Sequence, residues 1–156
     1  MTDINKVKYH NFRKSKILII EDSQDHSEII KLAIKECIPE VQTIIVSTAL
    51  QAIMFLDEIV SSNGVLPKLV LLDLYLPRKE DGWLVLQKIK RQSSQLRVLP
   101  VIILSASNDP EDIRNAYDLG GSAYTIKPVD YSSWLEYFKS IRKHWMETVI
   151  LPFKSE

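Results

Sequence analysis

The stretch from Lys68 to Pro77 constrains the fold of this chain more than any other part of the sequence. It reads Lys-Leu-Val-Leu-Leu-Asp-Leu-Tyr-Leu-Pro, so a continuous apolar run ends abruptly at the carboxylate of Asp73. Such a run predicts a central strand covered on both faces, as in a parallel sheet, and Pro77 prevents its easy continuation. Ligands of open α/β sheets lie at the carboxyl ends of the strands, which makes Asp73 a candidate functional residue. Taken alone, Asp73 would rather be interpreted as a residue that caps the following turn.

Length and composition limit the classes of protein to which the chain can belong. Its 156 residues are 46% hydrophobic, which fits one compact domain with a full core. The 20 basic and 20 acidic residues balance, so no overall charge favours nucleic acid or a membrane surface as partner. A single cysteine, Cys37, excludes an internal disulfide framework and fits a reducing cytosol. With no apolar run of bilayer length and no signal-peptide pattern at the start, we expect a soluble, cytoplasmic protein.

The polar N-terminal stretch, residues 1–15, carries several basic side chains. These side chains could form an arm that binds nucleic acid or a membrane. A flexible, solvated tail is the simpler interpretation and the one that we adopt. Residues 16–156 are then predicted to form a single domain with an extended C-terminal helix and tail.

Hydrophobic periodicity predicts alternating strands and helices after this tail. Besides the central strand, short apolar or β-branched runs predict strands at residues 17–20, 41–46, 101–104 and 123–126. Capping residues and helical spacing predict helices that begin at Ser23 or Asp25, at Thr48, at about Trp83, after Asp109 and after Asp130, the last continuing to about Glu147. This alternation predicts an α/β fold, in which a parallel five-stranded sheet with right-handed crossovers carries helices on both faces.

Chemically active residues follow four of the predicted strands. They are Glu21 and Asp22, Asp73, Ser105, and Lys127. In a parallel sheet these strand ends share one edge, so residues far apart in sequence converge. Three carboxylates in one place repel one another unless a cation is present, and oxygen ligands of this kind suit a hard divalent ion such as Mg²⁺.

With Mg²⁺ on the acidic side, Asp73 becomes a candidate nucleophile toward a phosphoryl group. Lys127 would neutralise charge on the transferring phosphoryl group, and the Ser105 hydroxyl would bond one of its oxygens. Each residue also has a simpler interpretation: a solvated strand-end lysine, a turn serine, and, for Glu21 and Asp22, acids at a helix start. Their joint occurrence at matching strand ends favours the functional interpretation.

Taken in order, these motifs resemble the receiver domain of two-component response regulators. The matching residues are Glu21-Asp22, Asp73 with Pro77, Ser105-Ala106, and Lys127-Pro128. The resemblance covers about residues 16–143. It implies a flavodoxin-like (βα)5 fold, a doubly wound parallel sheet with strand order 2-1-3-4-5.

The resemblance also implies roles around the central aspartate. Asp73 would be the phosphoacceptor, charged by the phosphohistidine of a sensor histidine kinase. Mg²⁺ or Mn²⁺ would be held by Glu21, Asp22, Asp73 and the backbone carbonyl of Tyr75. The ring of Tyr75 could lie over the site and shield an acyl phosphate from water, or it could turn away to solvent or to the loop at residues 78–81.

Further implications concern switching and the neighbouring loops. Ser105 and Tyr124 match the switch pair of the family, in which a hydroxyl moves to the phosphoryl group and an aromatic ring follows it. The peptide bond between Lys127 and Pro128 is expected to be cis, which would aim Lys127 at the site. Gly82 lies one residue farther along than in typical receivers, so the loop before it carries an insertion.

Three segments resemble a narrower group, the small stand-alone regulators paired with bacterial phytochromes. They are residues 74–79, residues 127–130, and the C-terminal stretch from Trp145 to Pro152. This narrower resemblance implies that the partner kinase is a bacterial phytochrome.

Other function classes fit the sequence less well. A haloacid-dehalogenase-type enzyme would need a second aspartate where Tyr75 stands, and the acidic stretch Glu21–Ser23 would repel the phosphate of a flavin. About thirty residues follow Lys127, which leaves no room for a helix-turn-helix output domain. We therefore predict a phosphoacceptor signalling protein rather than an enzyme. It would assist its own phosphotransfer and dephosphorylation, act through protein contacts, and bind neither nucleic acid nor membrane.

The end of the chain predicts a homodimer. One helical stripe can pack the final helix onto the sheet, and it consists of Trp134, Phe138, Ile141 and Trp145. Further apolar side chains follow: Met146, Val149, Ile150, Leu151 and Phe153. Exposed on a monomer, these would form a patch typical of an interface, so we predict dimerisation through the C-terminal helix and tail. The alternative is that the tail folds back and covers its own domain.

Overall fold

A five-stranded parallel sheet organises the computed structural model, which describes residues 4–152. The strands lie in the order β2-β1-β3-β4-β5, which confirms the predicted flavodoxin-like topology. Their bounds are β1 Lys16–Ile20, β2 Gln42–Val46, β3 Leu69–Asp73, β4 Val101–Ser105 and β5 Ala123–Ile126. Every neighbouring pair is parallel, so all carboxyl ends meet at one edge of the sheet.

Helices connect the strands and cover both faces of the sheet. Their bounds are α1 Ile4–Phe12, α2 Gln24–Cys37, α3 Ala49–Ser62, α4 Lys79–Arg91, α5 Pro110–Asp118 and α6 Tyr131–Ile141, with a 3-10 turn at Leu96–Val98 and a π-helical segment at Arg142–Thr148. Four helices begin where capping residues predicted them, because a side-chain oxygen accepts a hydrogen bond from the first turn. The capping residues are Ser23, Thr48, Asp109 and Asp130. Among residues 4–152, no helix is long and apolar enough to cross a membrane.

The central strand β3 is buried along its whole length and supplies two cores. Val70 and Leu72 face a core built with α3 and α4, whereas Leu69 and Leu71 face a core built with α2 and α6. This alternation explains the uninterrupted apolar run in the sequence, because a strand covered on both faces has no solvent side.

The predicted flexible tail at residues 1–15 is wrong for most of its length, since residues 4–12 form α1. Asn11 fixes this helix to the other end of the described chain and is buried. Its Nδ2 donates to the carbonyls of Met146 (3.0 Å) and Val149 (2.8 Å), and its Oδ1 accepts from the Leu151 amide (3.2 Å). The guanidinium of Arg142 lies 5.0 Å from the centre of the Phe12 ring and adds a cation–π contact. Residues 1–3 lie outside the described part.

These contacts also correct the description of the C-terminal segment. The α-helix ends at Ile141 and continues as a π-helical segment to Thr148, instead of one helix to about Glu147. Met146 and Leu151, assigned to an exposed apolar patch, are buried beside Asn11, whereas Ile150 is exposed. Most of the predicted patch therefore packs on its own domain, and Phe153 lies outside the described residues.

Two local expectations also need correction. Helix α4 begins at Lys79 rather than at about Trp83, so the loop after β3 is shorter than expected. The cis peptide bond among the described residues joins Leu76 and Pro77, whereas the bond between Lys127 and Pro128 is trans. Pairing of β5 with β4 already directs Lys127 to the site, because its amide donates to the Ser105 carbonyl (2.9 Å).

Gly82 lets the first turn of α4 lie directly against the chain that leaves β3. A Cβ atom at this position would lie 2.0 Å from the carbonyl oxygen of Leu74. We predict that Gly82→Ala lowers the free energy of unfolding by about 3 kcal/mol, because the contact is with backbone that no side-chain rotation can relieve. Urea denaturation measures this change.

Gly64→Ala is the matched control for this prediction. A Cβ atom at Gly64 would lie 3.4 Å from the Ser62 hydroxyl, an ordinary contact with a side chain that can move. Equal stabilities of the two alanine variants would contradict the close-approach explanation.

Candidate functional site

Four strand ends meet at the carboxyl edge of the sheet, as the sequence predicted. In the register of the sheet, Ile20 pairs with Leu72 and Asp73 pairs with Leu104. Glu21, Asp73 and Ser105 therefore lie side by side at the ends of β1, β3 and β4. Lys127 follows β5 and completes the row. Glu21, Asp73 and Ser105 are buried, and the side chain of Lys127 is only 10% exposed.

The ammonium group of Lys127 stands between two of these carboxylates. Its Nζ lies 2.8 Å from Oε2 of Glu21 and 3.1 Å from Oδ2 of Asp73. An ion pair this well shielded from solvent offsets part of the cost of burying the two acids. The structure thus brings the predicted lysine into direct contact with the predicted acceptor.

Opposing interactions act on the pKa of Asp73. Burial, and next the charge of Glu21, raise the pKa of Asp73 to about 7, although contacts with Lys127 and the Tyr75 amide act in the opposite direction. The Tyr75 amide donates to Oδ1 of Asp73 at 3.2 Å, so both carboxylate oxygens have partners. A second positive charge beside Asp73 would favour its ionised form.

The three acids of this edge fit a divalent cation. Glu21, Asp22 and Asp73 each offer an oxygen, and these oxygens lie within 4.8 Å of one another. Oε2 of Glu21 is buried and accepts no hydrogen bond of good geometry, even though Lys127 Nζ lies 2.8 Å away. Hard divalent ions such as Mg²⁺ and Mn²⁺ prefer oxygen donors of this type. Glu21, Asp22 and Asp73 are therefore the residues that would hold such an ion.

His26 also belongs to the site, although sequence reasoning did not identify it. Its Nδ1 lies 2.9 Å from Nζ of Lys127 and 3.7 Å from Oε1 of Glu21. The capping position of Ser23 was the available signal, because it places His26 in the first turn of α2, directly behind the acidic pair.

Ser105 and Tyr124, the predicted switch pair, meet through a third residue. The amide of Ser107 donates to Oγ of Ser105 at 3.1 Å, and the carbonyl of Ser107 accepts a hydrogen bond from the Tyr124 hydroxyl at 2.8 Å. The loop between β4 and α5 therefore connects the hydroxyl to the aromatic ring. Sequence reasoning missed Ser107, since a serine in a loop carries no distinctive pattern.

The side chain of Tyr75 crosses to α5. Its hydroxyl donates to Oδ2 of Asp112 at 3.0 Å, and Nζ of Lys79 contacts the other oxygen of the same carboxylate. Asp112, buried in the first turn of α5, was likewise not identified from the sequence. Shielding of the site by Tyr75 remains a prediction.

Comparisons with known proteins agree with the fold and with the arrangement of the site. The family described as "Response regulator receiver domain" matches residues 17–139. Response regulator Rcp1 of Synechocystis sp. is 34% identical over 137 residues, which are 87% of this chain and 92% of Rcp1.

Solved structures give the same result. The crystal structure of the Mn²⁺-bound form of Rcp1 matches with a TM-score of 0.77 at 34% identity, covering 89% of this chain and 99% of that one. The structure of RcpA, described as a phosphorylated cyanobacterial phytochrome response regulator, matches with a TM-score of 0.79 at 32% identity and the same coverage.

The raised pKa of Asp73 predicts a pH-dependent stability of the metal-free protein. Because the folded pKa lies above the unfolded one, the folded state binds more protons between about pH 4 and pH 7, and the unfolding free energy falls over that range as pH rises. Each pH unit between the two pKa values corresponds to about 1.4 kcal/mol, and loss of the charged contact with Lys127 offsets part of the gain. We therefore expect Asp73→Asn to be more stable than wild type at pH 8 in EDTA by about 1–3 kcal/mol. Urea denaturation at pH 5 and pH 8 measures this effect.

Asp22→Asn provides the control, because Asp22 belongs to the same acidic group but is exposed. A gain at pH 8 that is no larger for Asp73→Asn than for Asp22→Asn would contradict the burial argument.

Proposed function

The chain belongs to the response regulator receiver domain family of two-component signalling, and from that premise we propose that it accepts a phosphoryl group on Asp73 from a sensor histidine kinase. The observation that carries this proposal is the buried Asp73 carboxylate in contact with Lys127 and grouped with two further acids. The phosphorylated protein would signal through an altered protein-interaction face.

Transfer to Asp73 is a displacement at phosphorus. An oxygen of Asp73 forms the new bond to phosphorus, the bond from phosphorus to the donor histidine nitrogen breaks, and that nitrogen takes a proton from solvent. Lys127 lies 3.1 Å from Oδ2 of Asp73, close enough to shift its ammonium group to an oxygen of the incoming phosphoryl group. The Ser105 oxygen already accepts a bond from Ser107, so its own proton remains available for another phosphoryl oxygen.

Metal would be held by Glu21, Asp22 and Asp73, with the Tyr75 carbonyl as a further predicted ligand. A bound Mg²⁺ or Mn²⁺ would supply positive charge to the acidic group and to phosphoryl oxygens. The acidic group, including the buried Glu21 oxygen without a well-formed hydrogen bond, supports this part of the proposal.

Switching would use the connection between Ser105 and Tyr124. A phosphoryl group that draws the Ser105 hydroxyl away would release the Ser107 amide and disturb the loop whose carbonyl holds the Tyr124 hydroxyl. The ring of Tyr124 packs partly buried beside β4, so its movement would reshape the surface formed by α5, β5 and α6.

A bacterial phytochrome is the kinase that we propose as donor. RcpA, which matches along 89% of this chain, is described as a phytochrome response regulator. The predicted function needs no nucleic acid and no membrane, and a cytoplasmic location would give the kinase access to ATP. The free thiol of Cys37 is compatible with that compartment.

The acceptor assignment predicts that Asp73→Asn abolishes phosphorylation. Wild type incubated with acetyl phosphate and Mg²⁺ is expected to gain one phosphoryl group by intact mass spectrometry, whereas Asp73→Asn stays unmodified because an amide is not a nucleophile toward phosphorus. Asp118→Asn, at the exposed end of α5, is expected to label like wild type. Equal labelling of Asp73→Asn and wild type would refute the assignment.

A homodimer remains part of the proposal, with a changed basis. The buried tail no longer supplies the apolar patch, but the approach to α6 does, since Ile126 is 51% and Val129 95% exposed. This surface adjoins the C-terminal helix and the strand that carries Tyr124, so phosphorylation of Asp73 would affect a dimer formed there.

We predict that Val129→Glu weakens such a dimer, because it places a charge on the apolar surface. Light scattering of wild type at tens of micromolar should give twice the monomer mass, because an interface of ordinary affinity is occupied at that concentration. Leu50→Glu, on α3 and 66% exposed, is the control that should not alter the mass. A monomeric wild type would remove the dimer from the proposal.

A further inference from the structure

A second buried polar group lies beside the site, at the start of α5. We call it the Asp112 cluster, and it consists of Tyr75, Lys79, Ser107 and Asp112. The carboxylate of Asp112 is only 1% exposed. Its Oδ2 accepts from the Ser107 hydroxyl at 2.8 Å and from the Tyr75 hydroxyl at 3.0 Å, and Oδ1 lies 3.4 Å from Nζ of Lys79.

The donors of this cluster come from two different loops. Tyr75 belongs to the connection from β3 to α4, Lys79 is the first residue of α4, and Ser107 belongs to the connection from β4 to α5. Asp112 therefore ties the loop that leaves Asp73 to the loop that leaves Ser105. Lys79 is 39% exposed, so water screens its charge and the two hydroxyl groups carry most of the connection.

Each loop also holds a group of the phosphorylation site by its backbone. The Tyr75 amide donates to Asp73, and the Ser107 amide donates to Ser105. The side chain of Tyr75 extends from the chain that leaves β3 to the first turn of α5, the helix that follows β4. Tyr75 thus contacts Asp73 through its amide and Asp112 through its hydroxyl.

The charge of Asp112 needs these donors. Burial pushes its pKa upward, but the hydrogen bonds from Ser107, Tyr75 and Lys79 outweigh burial and leave the pKa below its usual value. If the two loops separated, the buried carboxylate would lose the hydrogen bonds that compensate its charge, at a cost in free energy. The closed form of the cluster is therefore more stable than an open one.

We propose that Asp112 is a positioning residue that holds the Tyr75 bridge closed over Asp73 and so slows hydrolysis of the acyl phosphate. This inference rests on the proposed function. In hydrolysis a water oxygen attacks phosphorus and the bond from phosphorus to the Asp73 oxygen breaks. Inorganic phosphate is released, the Asp73 carboxylate is regenerated, and one proton passes to solvent. Asp112 touches none of these atoms and acts through Tyr75.

The first experiment measures the lifetime of the phosphorylated full-length chain after the small donor is removed. Asp112→Asn and Tyr75→Phe should each shorten this lifetime about five-fold. Loss of one ordinary protein hydrogen bond is expected to shift the equilibrium between the closed and open forms of the bridge by about that factor. The double variant should be no faster than either single one, because both remove the same contact. Asp118→Asn, which alters an acid on the same helix outside the cluster, should keep the wild-type lifetime.

A purely structural role for Asp112 would give different results. General damage to the site would also raise the Mg²⁺ concentration needed for half-maximal labelling, whereas loss of the bridge should leave that concentration unchanged. If Asp112→Asn does not fold, Tyr75→Phe alone decides, since it removes one oxygen from a partly exposed side chain. Unchanged lifetimes, or effects of the two substitutions that multiply in the double variant, would overturn the proposal.

The second experiment does not depend on phosphorylation. Backbone hydrogen exchange at residues 74–81 and 105–109 should be faster in Asp112→Asn than in Asp118→Asn, because the bridge ties both segments. Wild type that fails to accept phosphate would refute the proposed function, while the exchange rates would still test the bridge. Equal exchange in the two variants would overturn the Asp112 proposal whether or not the chain is phosphorylated.

Discussion

The contact of Lys127 with Glu21 and Asp73 is the interaction on which the rest of this edge depends. Two buried carboxylates at neighbouring strand ends would repel each other and lose their hydration, and a single shared ammonium group offsets part of both costs. The contact exists only because parallel pairing places the end of β5 at the same edge as the ends of β3 and β1, so that the Lys127 side chain reaches Asp73 and Glu21. The fold therefore stabilises a concentration of charge that no isolated segment could hold, and that charge supports the proposal of a metal and phosphoryl site at this edge.

Much of the fold could be predicted because its signals are local. Apolar runs gave the strands, capping side chains gave the helix starts, and their alternation gave the parallel sheet. The main failures concern the two ends of the chain. Helix α1 has few features that distinguish it from a solvated segment, and it is held by Asn11, whose partners lie more than 130 residues away. A polar side chain that bonds distant backbone carbonyls leaves no periodic pattern in the sequence.

The site shows the same division between local and distant signals. Glu21, Asp73 and Lys127 could be placed together because strand topology forces their convergence. Ser107 and Asp112 could not, since a loop serine and an acid in the first turn of a helix are common without any special role. Their significance depends on which side chains of another loop reach them, and that depends on tertiary packing.

The docking of α1 has a consequence for the geometry of the whole domain. Helix α1 leads directly into the amino end of β1, whereas Glu21 follows its carboxyl end. Because Asn11 contacts Met146, Val149 and Leu151, both ends of the described chain lie together near the amino ends of the strands, whereas Asp73 lies at the carboxyl end of β3. The order of the elements could therefore be cyclically rearranged, with a short linker joining the ends and new termini opened in an exposed turn. Reporter proteins fused at this edge would lie away from the Asp73 surface, where we propose that the kinase binds.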